Sequence, residues 1–211
     1  MRYDLSDAYP SVVRIVARTG SSRIPIFLGT GLVVSAKRVI TCAHVIRALT
    51  ELHTDCGEKP EWPSVQCGSV AYRATAGSIV DKMDLCILTF ARLPRTSPRT
   101  LTRTAKLKGM HLVALGFDAR DPSRIMEVHD LIVLNEGLSD KRSQWAQLAG
   151  GLPRGFSGAP VLAHLRGSWR VLGMIQLGGD EAVTSRLVGA DAMATFLARE
   201  GTRFSKAVPS K

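Results

Sequence analysis

The sequence from Gly151 to Val161 reads Gly-Leu-Pro-Arg-Gly-Phe-Ser-Gly-Ala-Pro-Val and places Ser157 among small, flexible residues. Gly155 and Gly158 flank the serine, and glycine adopts backbone conformations that are closed to other residues. A serine on such a tight loop can present its hydroxyl outward, while the loop's N–H groups point at one spot where negative charge develops. The stretch therefore indicates either a nucleophilic serine or an ordinary glycine-rich hairpin, and two further stretches favour the first.

Those stretches contain the partners that a nucleophilic serine needs. Residues 29–45 have the pattern of a strand, a Lys-Arg turn and a second strand that leads to His44. Residues 83–90 place Asp84 at the start of an apolar strand. A serine nucleophile requires a base to take its proton, and the base requires a carboxylate that fixes its tautomer and stabilises the imidazolium. His44, Asp84 and Ser157 supply these three groups, in that order along the chain.

The motifs resemble those of the chymotrypsin-fold (trypsin-like) serine peptidases. Residues 41–44, Thr-Cys-Ala-His, are similar to that family's Thr-Ala-Ala-His, with Cys42 in place of an alanine. Residues 84–88 resemble its Asp-Ile-Ala-Leu-Leu, residues 155–160 its Gly-Asp-Ser-Gly-Gly-Pro, and residues 173–178 its Gly-Ile-Val-Ser-Trp-Gly. The four motifs follow the family's order, and their short separations are closest to compact bacterial trypsin-like and HtrA-type peptidase domains.

The resemblance implies a role for each matching residue. Ser157 would attack the scissile carbonyl, His44 would shuttle the proton and Asp84 would orient His44. The backbone N–H groups of Gly155 and Ser157 would form the oxyanion hole. The resulting hypothesis is a serine endopeptidase that cleaves protein or peptide substrates through an acyl-enzyme.

The resemblance also locates a specificity pocket. Six residues before the serine, where trypsin has an acidic pocket floor, this chain has Gly151. The expected pocket wall consists of three consecutive residues: Gln176, Leu177 and Gly178. No acidic residue occurs from residue 141 to residue 179, so a buried substrate cation would lack a counter-charge. We expect a preference for apolar or small uncharged residues, unless residues 180–181, Asp-Glu, fold inward and restore a basic preference.

The residue before the serine bears on activation. Secreted trypsins are switched on when a new N-terminus pairs with an Asp at this place, and here it is Phe156. The resemblance therefore implies that this ion-pair switch is absent and that no N-terminal clipping is needed. Control would come from another domain or a partner.

Many short apolar segments separated by turns, with little helix, predict an all-β protein. The resemblance implies two packed antiparallel six-stranded β-barrels with a C-terminal helix. We expect separate strands at 23–28 and 31–35, one strand over 125–134, a short helix over 45–52, and a closing helix with Asp191 as its N-cap. The predicted units are an N-terminal barrel (1–93), a linker (94–108), a C-terminal barrel (109–190), the closing helix (191–200) and a tail (201–211).

The chain carries a net charge of +10 at pH 7. Between Asp84 and Asp118 the only charged residues are basic: Arg92, Arg95, Arg99, Arg103, Lys106 and Lys108. Few aromatic residues are interleaved there to stack on bases, so a nucleic-acid-binding domain rests on charge alone. The run favours a solvated loop, with a docking patch for an acidic partner as the alternative.

The N-terminal residues lack the apolar core of a signal peptide, and no uncharged apolar stretch has the length of a membrane span. We expect no membrane association and a cytoplasmic location, or a fragment of a longer protein.

Cys42 and Cys86 are expected to be small buried side chains, whereas Cys56 and Cys67 flank a loop and could pair. Together with His53 they match no common zinc spacing, so neither a metal nor a cofactor is predicted.

Two other function classes compete with the peptidase. One is a catalytically silent interaction module on the same fold. The presence of a histidine, an aspartate and a serine at all three expected catalytic positions argues against it. The other is an α/β-hydrolase, which fails because Ala159 replaces the second glycine of Gly-x-Ser-x-Gly and because the acid and histidine precede the serine. The remaining histidines lack a matching context: His53, His111, His129 and His164.

Overall fold

A computed structural model describes residues 4–18, 25–55, 57, 62–94, 100–104, 106–138, 144–176 and 184–200. Two antiparallel seven-stranded sheets make up most of this part of the chain. One helix lies between two strands of the first sheet, and a second helix follows the last strand of the second sheet. The all-β class with a C-terminal helix is confirmed, and each sheet has seven strands where six were expected.

The first sheet contains the strands that the structure describes up to residue 89. Its strands are β1 (Val12–Ala17), β2 (Ile26–Ser35), β3 (Arg38–Cys42), β4 (Ser64–Cys67), β5 (Val70–Arg73), β6 (Ala76–Val80) and β7 (Leu85–Thr89). Their order is β5-β4-β1-β2-β3-β7-β6. Helix α1 (Ala43–Asp55) follows β3, and short 3-10 helices occur at Tyr9–Ser11 and Asp81–Met83.

The second sheet contains the later strands. They are β8 (Val113–Asp118), β9 (Asp121–Val128), β10 (Val133–Leu138), β11 (Gln144–Ala149), β12 (Pro160–Leu165), β13 (Ser168–Gln176) and β14 (Thr184–Gly189). Their order is β10-β11-β14-β13-β12-β8-β9, and helix α2 (Ala190–Arg199) follows β14. Among the described residues, no helix has the length and apolar character needed to cross a membrane.

Two strand predictions were wrong for local reasons. The expected break between residues 28 and 31 is absent, because the glycines there allow close packing inside a continuous β2. A Cβ at Gly31 would lie 2.7 Å from a side-chain carbon of Val39. The single strand expected over 125–134 is instead β9 and β10, which lie at opposite edges of the sheet. The chain turns between them at Asp130, whose φ is 56°.

Both helix predictions needed correction at their ends. Helix α1 begins at Ala43 and ends at Asp55, so it is longer than the predicted 45–52 and includes the histidine. Asp191 is not the N-cap of α2, because the helix begins one residue earlier and Gly189 occupies the cap position. The carboxylate of Asp191 instead accepts a hydrogen bond from the N–H of Ala192 in the first turn, at 2.8 Å.

The apolar core is continuous across the two sheets. One cluster joins β1–β7 to residues of β8, β12, β13 and α2, including Phe117, Met174 and Phe196. A second cluster lies wholly in the second half and includes Phe156. Part of the predicted linker packs against this half, because Leu101 forms an isolated parallel bridge with Val171. The two halves are therefore tightly joined, and the proposed unit boundaries stay a prediction.

Candidate active site

His44 lies in the first turn of α1, immediately after β3. Its backbone N–H donates to the Asp84 Oδ1 atom at 2.9 Å, and the N–H of Ala43 donates to the Asp84 carbonyl at 3.0 Å. These are N–H groups of the helix N-terminus, which lack partners within the helix. The aspartate thus fixes the start of the helix as well as facing the imidazole.

Asp84 lies between the 3-10 helix Asp81–Met83 and β7. Its φ of 50° is in the left-handed region, which side-chain-bearing residues adopt at a cost. This conformation turns the carboxylate toward α1, where its Oδ2 atom accepts from the Nδ1 atom of His44 at 2.7 Å. Register reinforces the arrangement, since Leu85 pairs with Cys42 at the end of β3.

Ser157 lies in the loop between β11 and β12, in the second half of the molecule. Its Oγ atom is 2.8 Å from the Nε2 atom of His44. The structure therefore brings the three predicted triad residues into one hydrogen-bonded chain, from carboxylate through imidazole to hydroxyl. Their side chains are partly exposed at His44 and Asp84, at 37% and 27%.

The loop around the serine requires glycine at two places. Gly155 and Gly158 have φ values of +97° and +89°. A Cβ at Gly155 would lie 2.4 Å from the carbonyl oxygen of Phe117, and one at Gly158 would lie 2.0 Å from that of Thr30. Both the left-handed backbone and the close approach exclude a larger residue. The glycines of the motif therefore allow the loop to press against both sheets.

Thr30, in the middle of β2, was not singled out by the sequence, and it holds this loop from the opposite sheet. Its N–H donates to the Ser157 carbonyl at 2.9 Å, and its hydroxyl donates to the Gly155 carbonyl at 2.7 Å. The same hydroxyl accepts from the N–H of Phe117 at 3.2 Å. Thr30 is fully buried, so these bonds are shielded from water.

The predicted oxyanion donors are the backbone N–H groups of Gly155 and Ser157. The carbonyl of Arg154 accepts from the N–H of Ala119 at 2.7 Å. Because the peptide is trans, the N–H of Gly155 points away from that carbonyl. Within the described part of the chain, the N–H groups of Gly155 and Ser157 form no hydrogen bond, whereas that of Gly158 donates to Ile175. Free, fixed N–H groups of this kind can stabilise an oxyanion.

The predicted pocket residues are only partly described. Gly151 is exposed and lies two residues after the end of β11, and Leu177 and Gly178 lie outside the described residues. The side chain of Gln176 is buried, and its amide donates to the carbonyls of Met83 at 2.5 Å and Asp84 at 3.4 Å. The Gln176 side chain therefore holds the backbone at Met83 and Asp84 in place. The sequence did not predict this contact, because the partners are more than 90 residues apart.

The thiol of Cys42 lies close to two of the site residues, within 4.8 Å of a ring nitrogen of His44 and a carboxylate oxygen of Asp84. It is fully buried, and its thiol donates to the carbonyl of Ile175 at 3.2 Å. Burial raises the pKa of this thiol well above its ordinary value, and the nearby Asp84 carboxylate adds to the effect. The sequence marked the position only as a departure from the family's alanine.

The other histidines lie in separate surroundings. His53 is buried in α1, and the Nδ1 atom of His111 is 2.6 Å from Asp130. The Nε2 atom of His129 is 2.6 Å from Glu127, and the ring of His164 packs edge-on against a tryptophan.

The cysteine pair and the basic run are also only partly described. Cys67 is free and Cys56 lies outside the described residues, as do Arg95 and Arg99. The described members of the basic run are exposed, as a solvated loop requires: Arg92, Arg103, Lys106 and Lys108.

Comparison with solved structures gives a likeness over nearly the whole chain. The Rv3671c protease of M. tuberculosis in its active form is 24% identical, with a TM-score of 0.68 over 98% of this chain and 86% of that one. The inactive form of the same protease is 24% identical, with a TM-score of 0.66 over 94% of this chain and 92% of that one. At this identity the likeness concerns the fold. No curated protein sequence matches the chain significantly.

A family match adds the function class. The family model described as the trypsin-like peptidase domain matches residues 29–174, which include the histidine, aspartate and serine motifs. This range is more than half of the chain. The protein therefore belongs to the trypsin-like peptidase family.

Proposed function

We propose that the protein is a serine endopeptidase that hydrolyses peptide bonds through an acyl-enzyme on Ser157. One observation carries the proposal: the carboxylate, imidazole and hydroxyl form a continuous relay, with contacts of 2.7 Å and 2.8 Å. The family membership and the free N–H groups of Gly155 and Ser157 support it. A silent interaction module would have no need for this alignment.

In the first half-reaction, the Oγ atom of Ser157 attacks the scissile carbonyl carbon while its proton passes to the Nε2 atom of His44. The carboxylate of Asp84 stabilises the imidazolium that forms. Negative charge develops on the former carbonyl oxygen, and the N–H groups of Gly155 and Ser157 donate to it. His44 then gives the proton to the leaving amine, and the acyl-enzyme remains.

In the second half-reaction, water replaces the amine. His44 takes a proton from the water as its oxygen attacks the ester carbonyl, and the same N–H groups stabilise the second tetrahedral intermediate. The intermediate collapses when His44 returns the proton to the Oγ atom of Ser157. The new carboxylic acid leaves and the enzyme is regenerated.

The proposed substrate is a protein or peptide with an apolar or small uncharged residue before the cut. The support is chemical, since Gly151 and Gln176 bring no charge to the expected pocket and a buried substrate cation would be costly. Profiling on a peptide library tests this preference. Dominant cleavage after Arg or Lys would contradict it and would point to the acidic residues 180–181.

We also propose that the chain needs no N-terminal clipping. Phe156, which takes the place of the ion-pairing aspartate, is fully buried in the second core cluster. The N-terminal segment is docked on the second sheet, because the indole N–H of Trp169 donates to the Asp4 carbonyl at 2.8 Å. Mass spectrometry of active protein should find the N-terminus intact, and activity only after its loss would overturn this proposal. The cytoplasmic location stays a prediction.

The decisive experiment is covalent labelling with a fluorophosphonate. The wild-type protein should be labelled on Ser157, whereas Ser157→Ala should not be labelled and should not cleave an unfolded protein substrate. Ser157→Ala should unfold within about 1.5 kcal/mol of wild type, because it removes one hydrogen bond to the partly exposed imidazole and such a bond contributes about 0.5–1.5 kcal/mol. A folded wild-type protein that resists labelling would favour the silent module.

A further inference from the structure

We propose that a soft divalent cation of the zinc class binds at Cys42, His44 and Asp84 and thereby inhibits the peptidase reversibly. The inhibition rests on the proposed function, whereas the binding does not. The observation is a cluster: the thiol sulfur, an imidazole nitrogen and a carboxylate oxygen all lie within 4.8 Å of one another.

The donor set has the chemistry of a zinc site. Thiolate, imidazole and carboxylate are the three side-chain groups that bind Zn²⁺, with bonds of about 2.0–2.3 Å in tetrahedral geometry. Ligand atoms around such an ion are therefore roughly 3.3–3.8 Å apart, so the present atoms need to shift by only about 1 Å. Partial exposure of His44 and Asp84 leaves a route from solvent, and water can fill the fourth position.

The sheet register holds the ligands together. Cys42 ends β3 and pairs with Leu85, the residue after Asp84, while His44 follows two residues later in α1. Backbone pairing thus holds the thiol sulfur near the imidazole and the carboxylate. Small rotations of the histidine and aspartate side chains would bring all three groups to one ion without unfolding either strand.

Binding exchanges a proton for the cation. The thiol of Cys42 is protonated and donates to the carbonyl of Ile175, so the cation must displace that proton to form a metal–sulfur bond. One proton is released for each cation bound through this thiol.

The same step disables the base. A cation on the Nδ1 atom of His44 takes that atom's lone pair, so the proton of the neutral ring must lie on Nε2. The Nε2 atom then donates toward the Oγ atom of Ser157 and no longer accepts its proton. The cation also takes the carboxylate of Asp84 away from the ring. Inhibition would follow without any contact to the serine.

Cys86 provides a matched control. It is also fully buried, lies in β7 opposite Thr41, and has a thiol whose pKa burial raises. Among the described residues it belongs to no cluster of metal ligands. Because Cys56 and Cys67 could also take up the cation, all variants are compared in a Cys56→Ser, Cys67→Ser background.

The first measurement is binding alone. Cd²⁺ is titrated into this background and into its Cys42→Ala and Cys86→Ala variants, and the thiolate-to-metal charge-transfer absorbance is recorded. In the double-serine background and in its Cys86→Ala variant, the absorbance should saturate at one Cd²⁺ per chain. In the Cys42→Ala variant no charge-transfer absorbance is expected. A band that persists in Cys42→Ala, or is absent from the background, would overturn the site.

The second measurement is the rate of fluorophosphonate labelling with and without Zn²⁺, each variant being its own reference. At a Zn²⁺ concentration about ten times the Kd, labelling should slow about tenfold, since only the metal-free fraction reacts, and a chelator should restore it. Cys42→Ala should show a ratio near one. If the charge-transfer band appears but Zn²⁺ does not slow labelling, the inhibition is overturned and the metal site stands. If the wild type is never labelled, the proposed function is overturned, and the charge-transfer band still decides whether the metal site exists.

Discussion

The two hydrogen bonds of the Thr30 hydroxyl, called the Thr30 clamp below, offer the most direct test of how the loop around Ser157 is held in place. Thr30→Val keeps the branched shape of the side chain and replaces its hydroxyl with a methyl group. That hydroxyl donates to the Gly155 carbonyl at 2.7 Å and accepts from the N–H of Phe117 at 3.2 Å. Phe117 lies at the irregularity in the pairing of β8 with β9, where it has no paired residue in β9. Its N–H would therefore lose the Thr30 hydroxyl as its acceptor in the variant.

The size of the effect follows from what is left unpaired. A buried polar group without a hydrogen-bond partner costs about 1–3 kcal/mol. The variant leaves two groups without this partner: the buried N–H of Phe117, and the carbonyl of Gly155, which is only half-buried and therefore costs less. We expect Thr30→Val to lower the free energy of unfolding by roughly 2–4 kcal/mol, a large part of the about 5–15 kcal/mol of a typical domain. Labelling of Ser157 in the folded variant should also slow, because the Gly155 carbonyl no longer has its anchor.

Urea unfolding measures the first effect, with Thr30→Ser as the matched control. The serine keeps the hydroxyl and loses one methyl group, so its cost should stay near 1 kcal/mol, the size of a small packing loss. The contrast between the two variants isolates the hydrogen bonds from the packing. Equal losses in Thr30→Val and Thr30→Ser, or a Val variant within about 0.5 kcal/mol of wild type, would refute the clamp.

Three further predictions follow from single contacts. Gly158→Ala should fail to fold or lose more than about 3 kcal/mol, since its Cβ would lie 2.0 Å from a β2 carbonyl oxygen; a normal urea midpoint would contradict this. Gln176→Leu should cost about 0.5–1.5 kcal/mol and slow labelling, because the half-buried carbonyl of Met83, next to Asp84, loses its donor; unchanged unfolding and labelling would contradict it. A hydrogen bond to the Glu127 carboxylate raises the pKa of Tyr9 to about 12, so this bond stabilises the fold below pH 10 and is lost as the pH rises through 12; Tyr9→Phe should flatten the alkaline fall in urea midpoint.

The fold class and the three residues that the structure brings together, His44, Asp84 and Ser157, were predictable because their signals are local. Each motif occupies a few consecutive residues, and strand periodicity is a property of a short window. Ser157 and its glycines could be read as a tight loop without knowledge of the remainder of the molecule. The same locality explains the errors at β2 and at residues 125–134, where glycines in a strand were taken for a turn and a turn at Asp130 left no mark in the apolar pattern.

The supporting contacts were not predictable in this way. Thr30 is 125 residues from Gly155, and Gln176 is 93 residues from Met83. Neither residue belongs to a motif that specifies its partner, because a hydroxyl or amide on a strand gives no indication of which distant carbonyl it will meet. Only the packing of one sheet on the other determines these pairs.

Those contacts share one property, which bears on how the site works. The hydroxyl of Thr30 reaches from the first sheet to the serine loop, and the amide of Gln176 reaches from the second sheet to the aspartate segment. The thiol of Cys42 makes a third bond across the same boundary. The histidine and aspartate lie next to strands β3 and β7 of the first sheet, and the serine lies in a loop between two strands of the second. The 2.8 Å contact between imidazole and hydroxyl is therefore set by the inter-sheet packing. Alignment of the relay should therefore be lost when the two sheets separate, before either sheet loses its own strands.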